Sequence, residues 1–446
     1  MISKHIGIRK RILGWFKEES FKRLIRNSST LLVGETGASL INMVTLMILV
    51  KAIGAANYGV IVLIQAYTTT IDQLVNFQSW QAFIKYGAED LANNDNNKLK
   101  QLIKQGTIID FGTAVLGMII AILIADYVGR FLNWDDNVIQ FSKLYSISIL
   151  FHFSGIPIGI LRLFNKFKIF SIQKIIVAMI KLLGVIVAYI FKLNLEAIIG
   201  IYLLSDIFGH ILLITISYSV MKQKNLTKWW KDKLIIRKDF LSYTIWTNLS
   251  TSITLPSKQL DVFIVSTALS VEMVGVYKVF KQITSLLGRL VSPIYQSIYP
   301  EFAIILANRD AKKAIKTYLK VSLILSIALI PLIITLSLTS PVWLRIFFGE
   351  IFANYWVLFS LFLVYVGLDT ITSPSHPLFN AFGYAKQKFV IMGIGNVFYL
   401  IFAWILGGKY GLAGIINAYA LQFVFITLTK IIYMVIKNAR ELEIVI

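Results

Sequence analysis

The chain has 446 residues, 57% of them hydrophobic and 15% charged, with a mean hydropathy of +0.72. A water-soluble protein of this length carries far more charge, so the composition excludes a soluble enzyme or binding module and points to an all-α polytopic membrane protein. The formal net charge of +21 does not require nucleic acid, because basic residues sorted to one membrane face give the same balance.

Residues 1–28, "MISKHIGIRKRILGWFKEESFKRLIRNS", are basic and amphipathic and lack the apolar run of a cleavable signal, so they are expected on the cytoplasmic membrane surface. Apolar stretches then predict twelve spans, near 29–53, 58–83, 106–125, 138–161, 169–191, 195–221, 240–267, 275–300, 317–337, 352–373, 388–407 and 411–436. Domain boundaries follow: an N-terminal six-helix lobe over 29–221, a basic linker over 222–239, and a C-terminal six-helix lobe over 240–446.

Several spans carry polar residues in helical rhythm. Span 1 has Glu35, Ser39 and Asn42; span 2 has Gln65, Thr69, Asp72, Asn76 and Ser79, all on one face. Span 7 contains "TSITLPSKQLD", where Pro256 removes a backbone donor beside Lys258 and Asp261; this predicts a bend whose freed carbonyl faces a polar cavity. Span 8 places Lys278, Lys281, Gln282, Ser285, Arg289, Ser292 and Gln296 on one face. An isolated cation costs about 2.5–3.5 kcal/mol at the bilayer centre, so a stripe with three must be kept off lipid. The reading is a wet central cavity lined by spans 1, 2, 7 and 8. Spans 3, 9 and 11 look clean enough to face lipid. The structural alternative is a set of buried ion pairs, such as Lys258 with Asp261 at three residues' spacing or Lys181 with Asp206. His152, His210 and His376 are scattered and show no metal spacing.

Lys and Arg sort by side. With both termini on one face, that face holds 33 of the 44, the opposite face five, and the spans six, which predicts cytoplasmic termini. An internal repeat accompanies this. "LANND" (Leu91–Asp95) and "LANRD" (Leu306–Asp310) lie 215 residues apart, as do "LFN" at Leu163–Asn165 and at Leu378–Asn380. Gly59 and Gly275, opening spans 2 and 8, lie 216 apart. Two halves of six spans share one orientation, an arrangement suited to rocking two lobes about a central cavity. Asp72 and Arg289 then occupy nearly equivalent depths and are expected to face each other when that cavity is empty.

Zero Cys excludes disulfides, thiolate metal sites and cysteine nucleophiles; there is no GxxxxGK[ST] phosphate loop and no cofactor motif. The predicted outer loops are short, leaving little room for a catalytic segment, so the chain is read as no enzyme.

The stretch "LVKAIGAANYGVIVLIQAY" (Leu49–Tyr67), with the topology and the repeat, resembles the polysaccharide-biosynthesis exporters. These include the O-antigen-type lipid-linked oligosaccharide flippases of the multidrug/oligosaccharidyl-lipid/polysaccharide exporter superfamily. The resemblance covers essentially the whole chain. It implies a V-shaped pair of bundles working by alternating access in the bacterial inner membrane. It also implies an undecaprenyl-diphosphate-linked oligosaccharide of O-antigen, lipopolysaccharide or similar type as cargo, with membrane lipids and other polysaccharide-assembly proteins as partners. The family has no residue-level signature to carry over, so the expected site rests on the stripes. Lys258, Lys278, Lys281, Arg289, Gln282, Ser285, Gln65 and Asn76 are the substrate-binding candidates. Glu35, Asp72 and Asp261 are the candidates for proton or sodium coupling or gating. A cation-coupled multidrug exporter of the same superfamily is the rival reading, and a membrane enzyme of glycan assembly a lesser one.

Overall fold

The computed structural model describes residues 19–252, 255–307 and 310–437. Most of the basic segment expected over 1–28 therefore lies outside the described residues, as do Asn308 and Arg309 of the second repeat motif and the Gln296 side chain.

Among the described residues the secondary structure is helical, with no strand. Seven helices are long and apolar enough to cross a bilayer, or eight when the bent pair Asp136–Phe151 and Gly155–Leu163 counts as one span. Two exceed a single crossing: Glu19–Val75 has 57 residues and Ala385–Lys437 has 53, or roughly 80 Å at 1.5 Å per residue against a core of about 30 Å. Each contains one glycine with non-helical backbone, Gly54 (φ 77°) and Gly411 (φ 65°). Left-handed φ is free of a Cβ clash only at glycine, so each long helix is two spans joined at that residue. Lys238–Ser252 with Asp261–Ala268, and Val271–Ala307, complete twelve. Span 7 falls short in length because it is divided into helices of 15 and 8 residues, and span 8 in hydropathy because it carries the polar stripe. Leu123, Phe131, Ile327 and Leu338 are each more than two-thirds exposed. Such faces are stable where lipid covers them.

The internal repeat has a local cause. Asp95 and Asp310 each cap the helix that follows: Asp95 Oδ1 accepts from Lys98 N at 3.0 Å and Asp310 Oδ1 from Lys313 N at 2.9 Å. Each satisfies one of the orphan donors at a helix start, so the shared aspartate marks the same junction twice. The "LFN" pair behaves similarly. Leu163 and Phe164 pack into the cluster of Phe83, Ile103, Ile160 and Leu213, while Leu378 and Phe379 join Phe302, Ile391 and Met434.

Contacts divide the described residues into two compact units, those up to 48 with 75–119 and 147–248 in one, and 49–74, 120–146 and those from 249 onward in the other. Residues 49–74 and 120–146 thus group with the C-terminal half, so this division does not follow the expected boundaries at 29–221 and 240–446.

The second and fourth spans are broken, and both breaks lie among residues of the first unit. Span 2 stops at Val75 and resumes at Trp80; span 4 runs Asp136–Ser146, then a 3-10 turn Ile147–Phe151, then Gly155–Leu163 after a 40° bend. Buried Asp110 holds both breaks: its Oδ1 accepts from Ser79 N at 2.9 Å and its Oδ2 from Ile156 N at 3.0 Å. One carboxylate thereby accepts from a backbone N–H at the start of each of two helices. Span 3 is accordingly not a plain lipid-facing helix, because Asp110 is an inward strut. The linker is anchored in the same unit. Arg237 makes a two-pronged bond to buried Asp90 at 2.9 and 3.2 Å, and Lys104 Nζ donates to the Trp230 carbonyl at 3.0 Å.

Candidate functional site

The second unit holds the arrangement that the span 7 and span 8 sequences anticipate. After Ser252, span 7 passes through a π-helical turn, Pro256–Leu260, before Asp261–Ala268. Proline lacks the N–H that would continue the α-helix, and the wider turn releases backbone carbonyls. One of them, Lys258 O, accepts from Lys281 Nζ at 3.2 Å.

Asp261 follows directly and is fully buried. Its Oδ2 accepts from Tyr277 OH at 2.6 Å, from Tyr399 OH at 3.1 Å and from Lys281 Nζ, while Oδ1 has no hydrogen-bond partner among the described residues. Tyr277 and Tyr399 also meet at 3.1 Å. The ion pair expected between Lys258 and Asp261 is therefore replaced by Lys281 with Asp261. Three residues' spacing brings side chains together on an α-helix but not on the wider π turn, so Lys258 points away and is exposed.

Two adjoining cavities open beside this node. One, of about 560 Å³, is bordered by Ser285, Asp369, His376, Asn380 and Lys388. The other, of about 290 Å³, is bordered by Asp261, Lys281, Asn396 and Gln422. They share Ser285, Val366, Asp369 and His376, so they form one polar region in the C-terminal half. Its wall is cross-linked. Tyr419 OH donates to Asp369 Oδ2 at 2.8 Å, and Gln422 Nε2 to Asn396 Oδ1 at 2.6 Å. Buried Lys430 reaches Ser375 Oγ at 2.9 Å and His376 Nδ1 at 3.2 Å. Four lysines (278, 281, 388 and 430) and two aspartates (261 and 369) thus lie in or against the region.

Of the substrate-binding candidates, the structure places Lys281 and Ser285 on the cavity wall, with half-buried Lys278 and Gln282 beside them. Arg289 is exposed and does not border either cavity. Gln65 bonds Tyr145 OH at 3.3 Å. Asn76 is buried in the first unit, where its Nδ2 donates to the His152 carbonyl at 3.3 Å and its Oδ1 accepts from Thr113 at 3.2 Å. Among the coupling candidates, Glu35 pairs with Lys174 at 2.7 Å on an exposed surface, Asp72 is buried, and Asp261 sits at the node.

Sequence reasoning missed Asp369, His376, Lys388, Asn396, Tyr399 and Lys430. A signal existed in span 12, where Tyr419, Gln422 and Lys430 fall on one helical face. Lys430 reads from sequence as one of the C-terminal cytoplasmic cations, yet it is 1% exposed. Span 11, which looks clean, contributes buried Asn396 and Tyr399. Two of the three histidines are not scattered either. His152 and His210 stack with ring centroids 4.2 Å apart, beside Asp206, which lies 3.5 Å from His152 Nε2; Lys181, the expected partner of Asp206, sits over the Tyr202 ring.

Comparison with known proteins adds three findings. Residues 24–306 match the family described as polysaccharide biosynthesis protein. The inner membrane protein YghQ of Escherichia coli strain K12 is 23% identical over 291 residues, 64% of this chain and 82% of that one. Among solved structures, an inward-facing multidrug-resistance MATE transporter of the MOP superfamily superposes with a TM-score of 0.72 at 13% identity, covering 92% of this chain and 96% of that one. The lipid II flippase MurJ, in an inward closed conformation, gives a TM-score of 0.65 at 16% identity, covering 91% and 87%.

Proposed function

The chain belongs to the polysaccharide biosynthesis protein family, and on that premise we propose that it is a flippase for a lipid-linked oligosaccharide. The cargo is an undecaprenyl-diphosphate-linked repeat unit of O-antigen or a similar surface glycan, moved from the cytoplasmic to the outer leaflet by alternating access. The observation that carries this reading is the polar region of the C-terminal half, where Lys281 and Lys388 border the cavities with Asp261 and Asp369, and Lys278 and Lys430 lie against them. The excess of two cations matches a diphosphate, which Lys binds as a point charge. Ser285, Asn380, Asn396 and Gln422 supply the donors and acceptors that sugar hydroxyls need. A multidrug exporter for cationic drugs would present the opposite balance.

In this reading the protein lies in the bacterial cytoplasmic membrane with both termini inside, an orientation that the sorting of Lys and Arg supports. Outward movement of two negative charges then gains about 4.6 kcal/mol per 100 mV of inside-negative potential if they cross the whole field. Asp261, whose buried Oδ1 has no hydrogen-bond partner among the described residues, is the group best placed to take up a proton or a sodium ion when cargo competes for Lys281.

Depletion of the protein in its host, followed by mass spectrometry of polar lipids, tests the assignment. Accumulation of an undecaprenyl-diphosphate oligosaccharide with loss of the surface glycan is expected. An unchanged lipid profile with increased sensitivity to cationic drugs would overturn it in favour of the multidrug reading.

A further inference from the structure

The first unit, where the breaks of spans 2 and 4 lie, holds a second polar cluster, which the cavity in the C-terminal half does not use. His152 lies in the break between Ile147–Phe151 and Gly155–Leu163. Asp206 and His210 are four residues apart on Leu195–Gln223 and so project from one helical face. One ligand-capable atom from each of the three residues lies within 4.8 Å of the other two. The break is held by groups other than the His152 ring, since Asn76 bonds the His152 carbonyl and Asp110 bonds Ile156 N. His210 Nδ1 lies 3.1 Å from Ser154 Oγ, a hydroxyl of the kind that orients a ligating imidazole.

We propose that His152, Asp206 and His210 form a binding site for a divalent transition-metal ion of the zinc type, joining spans 4 and 6. Two imidazole nitrogens and one carboxylate oxygen make a donor set that suits Zn²⁺ or Co²⁺, whereas Mg²⁺ and Ca²⁺ take all-oxygen sites. Tetrahedral bonds of 2.0–2.1 Å place ligand atoms about 3.3 Å apart, so the present separations need to close by about 1.5 Å at most. Rotation of exposed-edge side chains supplies that, as all three residues are partly accessible. Water would take the fourth position. A bound ion would tie the 40° bend of span 4 to span 6 and stiffen the lobe. Lys181 lies within electrostatic range of Asp206, and its charge opposes a dication. The site is therefore tuned toward modest affinity, and removing that charge should tighten it.

The full-length protein, purified into nanodiscs, is titrated with Zn²⁺ against a chromophoric chelator, with bound metal counted by elemental mass spectrometry. One equivalent per chain is expected, unchanged in His5→Gln. Asp206→Asn and His210→Gln should each weaken binding at least ten-fold, while Lys181→Gln should strengthen it several-fold. The opposite sign of the Lys181 effect separates ligand loss from misfolding, as do metal-free melting temperatures matched to wild type. Co²⁺ should give visible ligand-field absorption that Asp206→Asn abolishes. Binding no greater than that of a variant lacking all three groups would overturn the proposal, as would affinities indifferent to Asp206→Asn and His210→Gln. These outcomes are independent of the cargo and so are distinguishable from failure of the flippase reading.

Discussion

Replacing Lys281 with Ala tests whether the ammonium that borders the cavity holds the fold, binds cargo, or does both. The Lys281 side chain is 22% exposed and that of Asp261 1%, so truncation strands a carboxylate that water cannot reach. Breaking a buried pair by removing one partner costs about 3–5 kcal/mol. The Tyr277 and Tyr399 hydroxyls still donate to Asp261, and hydrogen bonds to a charged group offset part of that loss, leaving an expected penalty of about 2–4 kcal/mol. Asp261→Asn combined with Lys281→Ala removes the stranded charge and retains an acceptor for both tyrosines, so the double variant should regain most of the stability. A double-mutant cycle in unfolding free energy should give a coupling of about 2 kcal/mol or more. Glycan export gives the second readout. Export should fall in Lys281→Ala and stay low in the stable double variant, because the cation proposed to meet the diphosphate is gone. A Lys281→Ala protein as stable as wild type would refute the ion pair. Full export by the double variant would show that Lys281 serves only to neutralise Asp261.

Three further outcomes follow from single contacts. A Cβ at Gly59 would lie 1.9 Å from the Val271 carbonyl oxygen, and one at Gly275 2.2 Å from that of Ala55. Alanine at either position must therefore push these helices about 1.5 Å apart, costing about 1–3 kcal/mol and slowing disulfide formation between cysteines placed at 55 and 271. Unchanged cross-linking would show that the close approach is not required. Asp110→Ala leaves two buried helix-start N–H groups unpaired and should destabilise by about 2–5 kcal/mol, with Asp110→Asn intermediate because one oxygen remains. Equal melting temperatures for the two variants would contradict that assignment. Asp72→Asn and Arg289→Gln should each impair transport, with partial recovery in the charge swap Asp72→Arg with Arg289→Asp; strictly additive losses without rescue would mean that the two residues act independently.

What sequence revealed, and what it hid, divides along physical lines. Periodicity located the spans, and Gly54 and Gly411 fall at or between the predicted ends because a left-handed residue is a local property. Pro256 announced an irregularity in span 7, which is a π-helical turn, since a missing N–H needs no tertiary context. The 215-residue repeat exposed the Asp95 and Asp310 caps for the same reason. The breaks at 76–79 and 152–154 were invisible. They are stabilised by Asp110, which lies 31 and 46 residues from the donors it satisfies. Local spacing likewise suggested Lys258 for Asp261, and the π turn redirected that carboxylate to Lys281 on the next span. His152 and His210 meet only because the fourth and sixth spans pack together. Lys430 looked like a tail cation because hydropathy cannot tell a helix end at the surface from one whose ammonium is bound by Ser375 and His376.

The most direct test of the central claim is translocation in proteoliposomes that contain only this protein. A fluorescent oligosaccharide on a polyprenyl diphosphate is placed in one leaflet, and its appearance in the other is read by quenching with an impermeant reductant. The account predicts transfer well above protein-free vesicles, faster when the potential drives negative charge toward the acceptor leaflet, and weakened by Lys388→Glu, which reverses the charge of one cavity lysine. Transfer no faster than in empty vesicles, with uptake of a cationic dye by the same preparation, would contradict it.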